Sequence, residues 1–256
     1  MLIVLDIGNT TVVTGLFDGE KLEGHWRFSS RDQTSDEAGL TLLGILASNG
    51  VDRSGIDGAI LSSVVPRLEE VWRDAIGGYL GVAPFIVTCD LDLGIKIEID
   101  NPREVGADRL VNSVAAVSLC GYPVVSVDLG TTINLDVVSD EGAYIGGAIA
   151  PGLEVSMQTL FSKAAKLPQI ALASPGAAIG KNTIKAVQSG IVYGFAGLVD
   201  SLVERVFDEL GTRTQVIATG GHSGILAMNS KTVTRLEPWL TLEGLRIIYD
   251  RCKQRA

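Results

Sequence analysis

Short apolar runs separated by glycine-bearing turns set the rhythm of this chain, and the period of its apolar positions alternates between two and 3.6. Val4-Leu5 leads into Asp6-Ile7-Gly8-Asn9-Thr10-Thr11, and a β-rich run from Val12 to Phe17 follows before the turn Asp18-Gly19. This reads as strand, turn, strand. Helical periodicity comes next. Thr34-Ser35-Asp36-Glu37 supplies an N-cap and an acidic first turn, Leu40, Leu43 and Leu46 form a stripe, and Asn49-Gly50 ends the helix. Ala59 to Val65 predicts a buried strand, Arg67 to Leu80 a helix and Phe85 to Val87 a strand. Asn101-Pro102 reads as a cap and first helical residue, with Gly106 delaying the regular helix to Ala107, after which Leu110, Val111, Val114 and Ala115 share a face. Ile184 to Leu210 is a long helical pattern, and Gln215 to Ala218 predicts a strand ahead of Thr219-Gly220-Gly221.

The opening pattern occurs twice. Val4 to Thr11 is answered 122 residues later by Ser126-Val127-Asp128-Leu129-Gly130-Thr131-Thr132-Ile133, again with a β-rich run (Asn134 to Val138) and a turn (Asp140-Glu141-Gly142) behind it. A repeat at nearly half the chain length, with strands and helices alternating after each hairpin, predicts two α/β domains of related topology, 1–120 and 121–256, with a cleft between them.

Composition narrows the function. With 46% apolar and 20% charged residues the chain can bury real cores, so disorder is excluded as the overall state. Lys and Arg number 21 against 30 Asp and Glu, a formal charge of −9, and the cations are scattered; a protein that tracks nucleic-acid phosphates needs the opposite balance. The uncharged run Leu110 to Val127 carries Asn112, three serines and the breaker Gly121-Tyr122-Pro123, so it predicts a buried helix and then a strand, with no membrane partner. Met1 leads straight into Leu-Ile-Val-Leu and Asp6 without the features of a signal peptide, and a cytoplasmic location is expected. Cys89, Cys120 and Cys252 lie far apart with only two histidines to help, which indicates neither zinc nor disulfides but buried apolar cysteines.

A strand ending in Asp and followed by Gly and a hydroxyl or amide pair sets a carboxylate beside open backbone N–H groups. Such a turn can cradle phosphate while its Asp holds a cation. Two copies facing each other can grip both ends of one triphosphate. Other nucleotide motifs fail: the first hairpin lacks GxGxxG, and Gly176 to Asn182 has the wrong spacing and an Asn where a P-loop needs Ser or Thr. Gly221-His222-Ser223-Gly224 breaks the GxSxG spacing, which leaves His222 a turn residue. Gly106-Ala107-Asp108-Arg109 allows two readings. In one, Asp108 is a helix-start acid favoured by the macrodipole beside a solvated Arg109. In the other, Asp108 accepts the proton of a substrate hydroxyl while Arg109 fixes an anionic group of the same substrate.

Asp6-Ile7-Gly8-Asn9-Thr10, Gly106-Ala107-Asp108-Arg109, Asp128-Leu129-Gly130-Thr131, Gly146-Gly147 with Pro151-Gly152, Gly180-Lys181-Asn182-Thr183 and Thr219-Gly220-Gly221 together resemble, in order and over almost the whole chain, the type III pantothenate kinases. The resemblance implies two actin-like (ribonuclease H-like) domains of the acetate and sugar kinase, Hsp70 and actin superfamily, and a homodimer. It implies ATP-dependent phosphorylation of pantothenate, the first step of coenzyme A synthesis, with Mg²⁺ on the nucleotide and K⁺ or NH₄⁺ as monovalent cation. It also implies ATP binding by Asp6, Ile7, Gly8, Asn9, Thr10, Thr11, Val12, Val13 and Thr131. Asp108 becomes the proton acceptor, Gly106, Ala107, Asp108, Arg109 and Thr183 contact pantothenate, and Asp128 holds the monovalent cation. Two departures stand out: Thr132-Ile133-Asn134 replaces an alanine and further threonines, and Ile99 occupies a position usually held by tyrosine, so one hydrogen bond to substrate is missing or supplied elsewhere. Other readings are another small-molecule kinase of the superfamily, which would share the hairpins, and a nucleotide-binding regulatory or accessory protein.

Overall fold

A computed structural model describes residues 1–164 and 167–255. The first hairpin forms as the alternation predicts. Strands β1 (Leu2–Ile7) and β2 (Thr11–Asp18) pair antiparallel, Ile7 opposite Val12 and Asp6 opposite Val13. A further strand, β3 (Lys21–Ser29), returns antiparallel on β2. Helix α1 (Ser35–Ser48) starts at Thr34, whose hydroxyl accepts from the Glu37 N–H at 3.2 Å while the Glu37 carboxylate accepts from the Thr34 N–H at 2.8 Å, and Asn49 caps its end. Strand β4 (Gly58–Ser63) runs parallel to β1. Helix α2 (Pro66–Ala75) has proline in its first turn, and the expected helix to Leu80 is completed by a separate π-helical stretch, Ile76–Leu80. Strand β5 (Phe85–Ile86) closes the sheet in the order β3-β2-β1-β4-β5. Ile3, Leu5 and Ile7 of β1 pack with Leu42, Leu46 and Trp72, so a strand buried along its length reads as a continuous apolar run.

After β6 (Lys96–Ile97), Asn101 caps a 3-10 turn at Pro102–Glu104, and helix α3 (Ala107–Cys120) begins where Gly106 was expected to delay it. The second hairpin pairs β7 (Val124–Leu129) with β8 (Thr132–Val138), and β9 (Ala143–Pro151) returns on β8. Helices α4 (Leu153–Lys163) and α5 (Thr183–Leu210) follow, then β10 (Gln215–Thr219), parallel to β7, the short α6 (Ser223–Ala227), β11 (Arg235–Leu236) and α7 (Leu240–Arg255). The order β11-β10-β7-β8-β9-β6 repeats the first sheet strand for strand and sense for sense, with β6 added at one edge. The duplication is therefore topological as well as sequential. Its turns differ: Leu129 pairs with Ile133 and Asp128 with Asn134, so the second hairpin is one residue tighter than the first.

Where the repeat placed the division at residue 120, contacts group Met1–Lys96, Asp100–Ala115 and the chain from Thr241 into one compact unit, and Ile97–Ile99 with Ala116–Leu240 into the other. Helix α7 belongs to the first unit because its apolar face fits there: a Cβ on Gly244 would strike Val111, and the ring of Tyr249 stands edge-on to Phe85 at 5.7 Å. In the second unit α5 sends Ala196, Val199, Val203 and Phe207 into the core over β7 and β8. By length and composition α5 is long and apolar enough to cross a membrane, but its buried side chains pack on a sheet as a core helix does. The three cysteines are free and half-buried rather than buried, since Cys89 lies in a turn and Cys120 and Cys252 at the ends of helices.

Candidate active site

The carboxylate end of the first hairpin carries the densest chemistry of the first unit. Asp6 sits near the end of β1, between Val13 on β2 and Ser62 on β4, and Ser62 Oγ donates to Asp6 Oδ1 at 2.7 Å. The turn beyond it is closed by the Gly8 N–H donating to the Thr11 carbonyl at 3.0 Å, which leaves Asn9 and Thr10 exposed. Ile7 and Val12 are fully buried, so these two can face a ligand only through their main chain. Asp108 stands in the first turn of α3 and accepts from the Arg109 N–H at 2.9 Å, as a helix-start acid does. It is also half-buried and close enough to Asp6 for its charge to act there. The helix-start reading of Asp108 therefore holds, and its charge also reaches the end of the first hairpin. Gly106 has a steric reason: a Cβ at that position would lie 2.5 Å from Asp108 Oδ1 and 3.4 Å from Val64 Cγ1. Only glycine lets the Asp108 carboxylate fold back there.

Burial, and next the charge of Asp108, push the Asp6 carboxyl up to about 7, with the Ser62 hydroxyl opposing the rise. Burial also raises Asp108, while the Arg109 main-chain N–H and guanidinium pull it down. A folded value above the ordinary 3.8 means that the folded state retains a proton the unfolded chain has lost, so stability falls as pH rises from about 4 to about 7. The ligand-free protein should melt at lower temperature at pH 8 than at pH 5. Asp6→Asn should melt a few degrees above wild type at pH 8. Scanning calorimetry at the two pH values checks this, and coincident melting at pH 8 would refute it.

In the second unit Asp128 lies opposite Asn134 on β8 and Thr219 on β10. Gly220 crosses directly over it with φ +93, and a Cβ there would lie 2.5 Å from Asp128 Oδ1. The glycine turn after β10 is needed for the carboxylate to stay where it is. Thr131 is exposed at the tip of the hairpin, and a Cβ on Gly152 would collide with the carbonyl oxygens of Gly130 and Thr131. The hairpin that carries Asp128 also brings the Gly130 and Thr131 carbonyl oxygens close to one point, and carboxylate and carbonyl oxygens are ligand types that a hard cation accepts. Among the described residues no three acidic, imidazole or thiol side chains come together, and a divalent ion arriving with a nucleotide would be carried largely by its phosphates.

His222 follows the glycine turn, its N–H donating to the Leu129 carbonyl at 3.2 Å, in keeping with a turn residue. Thr183 is the exposed first residue of α5, whose Asn182 cap accepts from the Lys185 N–H at 2.9 Å. The segment before it is tied to that helix by Ser189 Oγ donating to the Ala178 carbonyl at 2.6 Å. Ile99 lies beside Gly146, 3.8 Å from where a Cβ of that glycine would be. Ser62, and Ser30, whose hydroxyl donates to the Gly8 carbonyl at 2.6 Å, were passed over at the Asp6 end, for a serine at the end of a strand carries no signal of its partner.

Two sheets of one strand order, each opening on an Asp-bearing hairpin, define the actin-like fold class. The fold matches the activator of 2-hydroxyisocaproyl-CoA dehydratase from Clostridium difficile with bound ADPNP (TM-score 0.60, 16% identity, 99% of this chain and 96% of that one). It also matches component A of (R)-2-hydroxyglutaryl-CoA dehydratase from Acidaminococcus fermentans (TM-score 0.57, 13% identity, 99% and 98%). The family model of type III pantothenate kinase matches residues 2–205. Curated type III pantothenate kinases of Moorella thermoacetica (45% identity, covering 98% of this chain and 99% of that one) and Geobacter sulfurreducens (44%, 99% and 100%) align end to end. The chain belongs to the type III pantothenate kinase family and is a kinase.

Proposed function

We propose that this kinase transfers the γ-phosphoryl group of ATP to the primary hydroxyl of pantothenate, giving 4'-phosphopantothenate for coenzyme A biosynthesis, in the cytoplasm and without nucleic-acid or membrane partners. The observation that carries the assignment of roles is the pair of carboxylates, Asp6 and Asp108, held close and half-buried in one unit with Gly106 making room. Asp108 orients the hydroxyl and accepts its proton as the oxygen bonds to phosphorus and the bond to the ADP oxygen breaks. Arg109 binds the pantothenate carboxylate, and Gly106, Ala107 and Thr183 complete the contacts. The turn from Asp6 to Val13 and Thr131 hold the nucleotide. Asp128 holds K⁺ or NH₄⁺, whose charge offsets the crowding of carboxylates and phosphates. A product assay with ATP, Mg²⁺, K⁺ and pantothenate tests this; ATP turnover without 4'-phosphopantothenate would overturn it.

The enzyme acts as a homodimer in this reading. Ala186, Gly190, Gly194, Gly197 and Ser201 form an exposed stripe along α5, with nothing near the three glycines, and Ile184, Ile145 and Ile149 (63% exposed) are apolar and uncovered in the same unit. A second copy covers such a face well, because small residues let helices approach closely. Gly194→Leu is expected to shift the protein to monomer in light scattering with unchanged helical content. A variant that remains dimeric would place the interface elsewhere.

A further inference from the structure

Ser62 is fully buried at the end of β4, in ladder register with Asp6, and its hydroxyl donates to Asp6 Oδ1 at 2.7 Å. The duplication gives that contact a counterpart in the second sheet. Opposite Asp128, at the same position of the parallel ladder, stands Thr219, also buried. Each hairpin aspartate therefore has a hydroxyl-bearing residue directly across the parallel pair. A buried hydroxyl after the apolar run Ala59-Ile60-Leu61 is costly unless it is hydrogen-bonded, and here it bonds a carboxylate on which the charge of Asp108 also acts. A free Asp side chain turns about two torsions. One oxygen held by Ser62 removes that freedom and leaves Oδ2 as the oxygen available to a ligand.

We propose that Ser62 is a positioning residue of the phosphoryl-transfer site, holding the Asp6 carboxylate in a single orientation toward the nucleotide while Asp108 serves the acceptor hydroxyl. The inference rests on reading Asp6 as a nucleotide-binding group. The same hydrogen bond favours the ionised carboxylate against its burial and against the repulsion of Asp108.

Steady-state kinetics of full-length Ser62→Ala, Asp6→Asn and the double variant, with ATP and pantothenate varied separately, test it. Ser62→Ala should lower kcat/KM for ATP about tenfold or more, the loss typical of a hydrogen bond to a charged group, while KM for pantothenate stays within about twofold. Ser62→Thr, which installs the hydroxyl found at this position in the second sheet, should recover most of the loss. In the Asp6→Asn background Ser62→Ala should cost little more, since no carboxylate remains to be held. Wild-type kinetics for Ser62→Ala beside a crippled Asp6→Asn would overturn this inference alone. So would an equal rise in KM for both substrates, or a loss matched by a fall in folded fraction by circular dichroism, either of which makes Ser62 a packing residue. A fully active Asp6→Asn would overturn the reading of Asp6 and this inference with it.

Discussion

Asp108→Asn should abolish phosphoryl transfer, by about 10²–10⁴-fold in kcat, while the protein keeps its fold. The amide has the size and shape of the carboxylate, so the space left by Gly106 still accommodates it, and its oxygen can still accept from the Arg109 N–H. The amide cannot take a proton from a hydroxyl. It also removes a negative charge that acts on Asp6, so melting temperature should hold or rise while turnover collapses. That separation of activity from stability distinguishes a proton acceptor from an acid that merely starts a helix. Near-normal 4'-phosphopantothenate formation by a folded Asp108→Asn protein would reduce Asp108 to the second role.

Turnover should also depend on a monovalent cation, and Asp128→Asn should remove both that dependence and most of the activity, a loss on the order of 10²-fold. The carboxylate lies at the end of a tight hairpin, and the Gly220 turn passes so close that no larger residue fits. Negative groups so confined favour a bound cation before another polyanion can approach. Exchanging K⁺ for Na⁺ or tetramethylammonium at constant ionic strength should lower the rate sharply in wild type and change nothing in Asp128→Asn. An unchanged wild-type rate would dismiss the cation.

Some elements were legible and others passed unread for specific reasons. The caps at Thr34 and Asn101 are local hydrogen bonds between near neighbours. Strand β3 does alternate, with Leu22, Trp26 and Phe28 half-buried, but Lys21, Glu23 and Arg27 between them make an edge strand look like a polar connection. Helix α7 carries Arg246, Arg251, Lys253 and Arg255 and hides its stripe of Leu242, Leu245, Ile248 and Tyr249, all buried, behind a charged face.

The sequence by itself determined the repeat, the two Asp-bearing hairpins, the main helices and the family, because each is written in the period of apolar positions or in residues a few places apart. Only the tertiary structure decided which distant groups meet. Asp6 feels the charge of Asp108 across 102 residues of chain, Ser62 reaches Asp6 through the register of a parallel pair, and Gly220 closes over Asp128 from the end of the neighbouring strand. Parallel pairing and the return of α7 to the first unit require long loops to close, and they are selected by the packing of whole faces rather than by any local preference. The residue types at the site were open to view in the chain; their distances from one another were set by that packing.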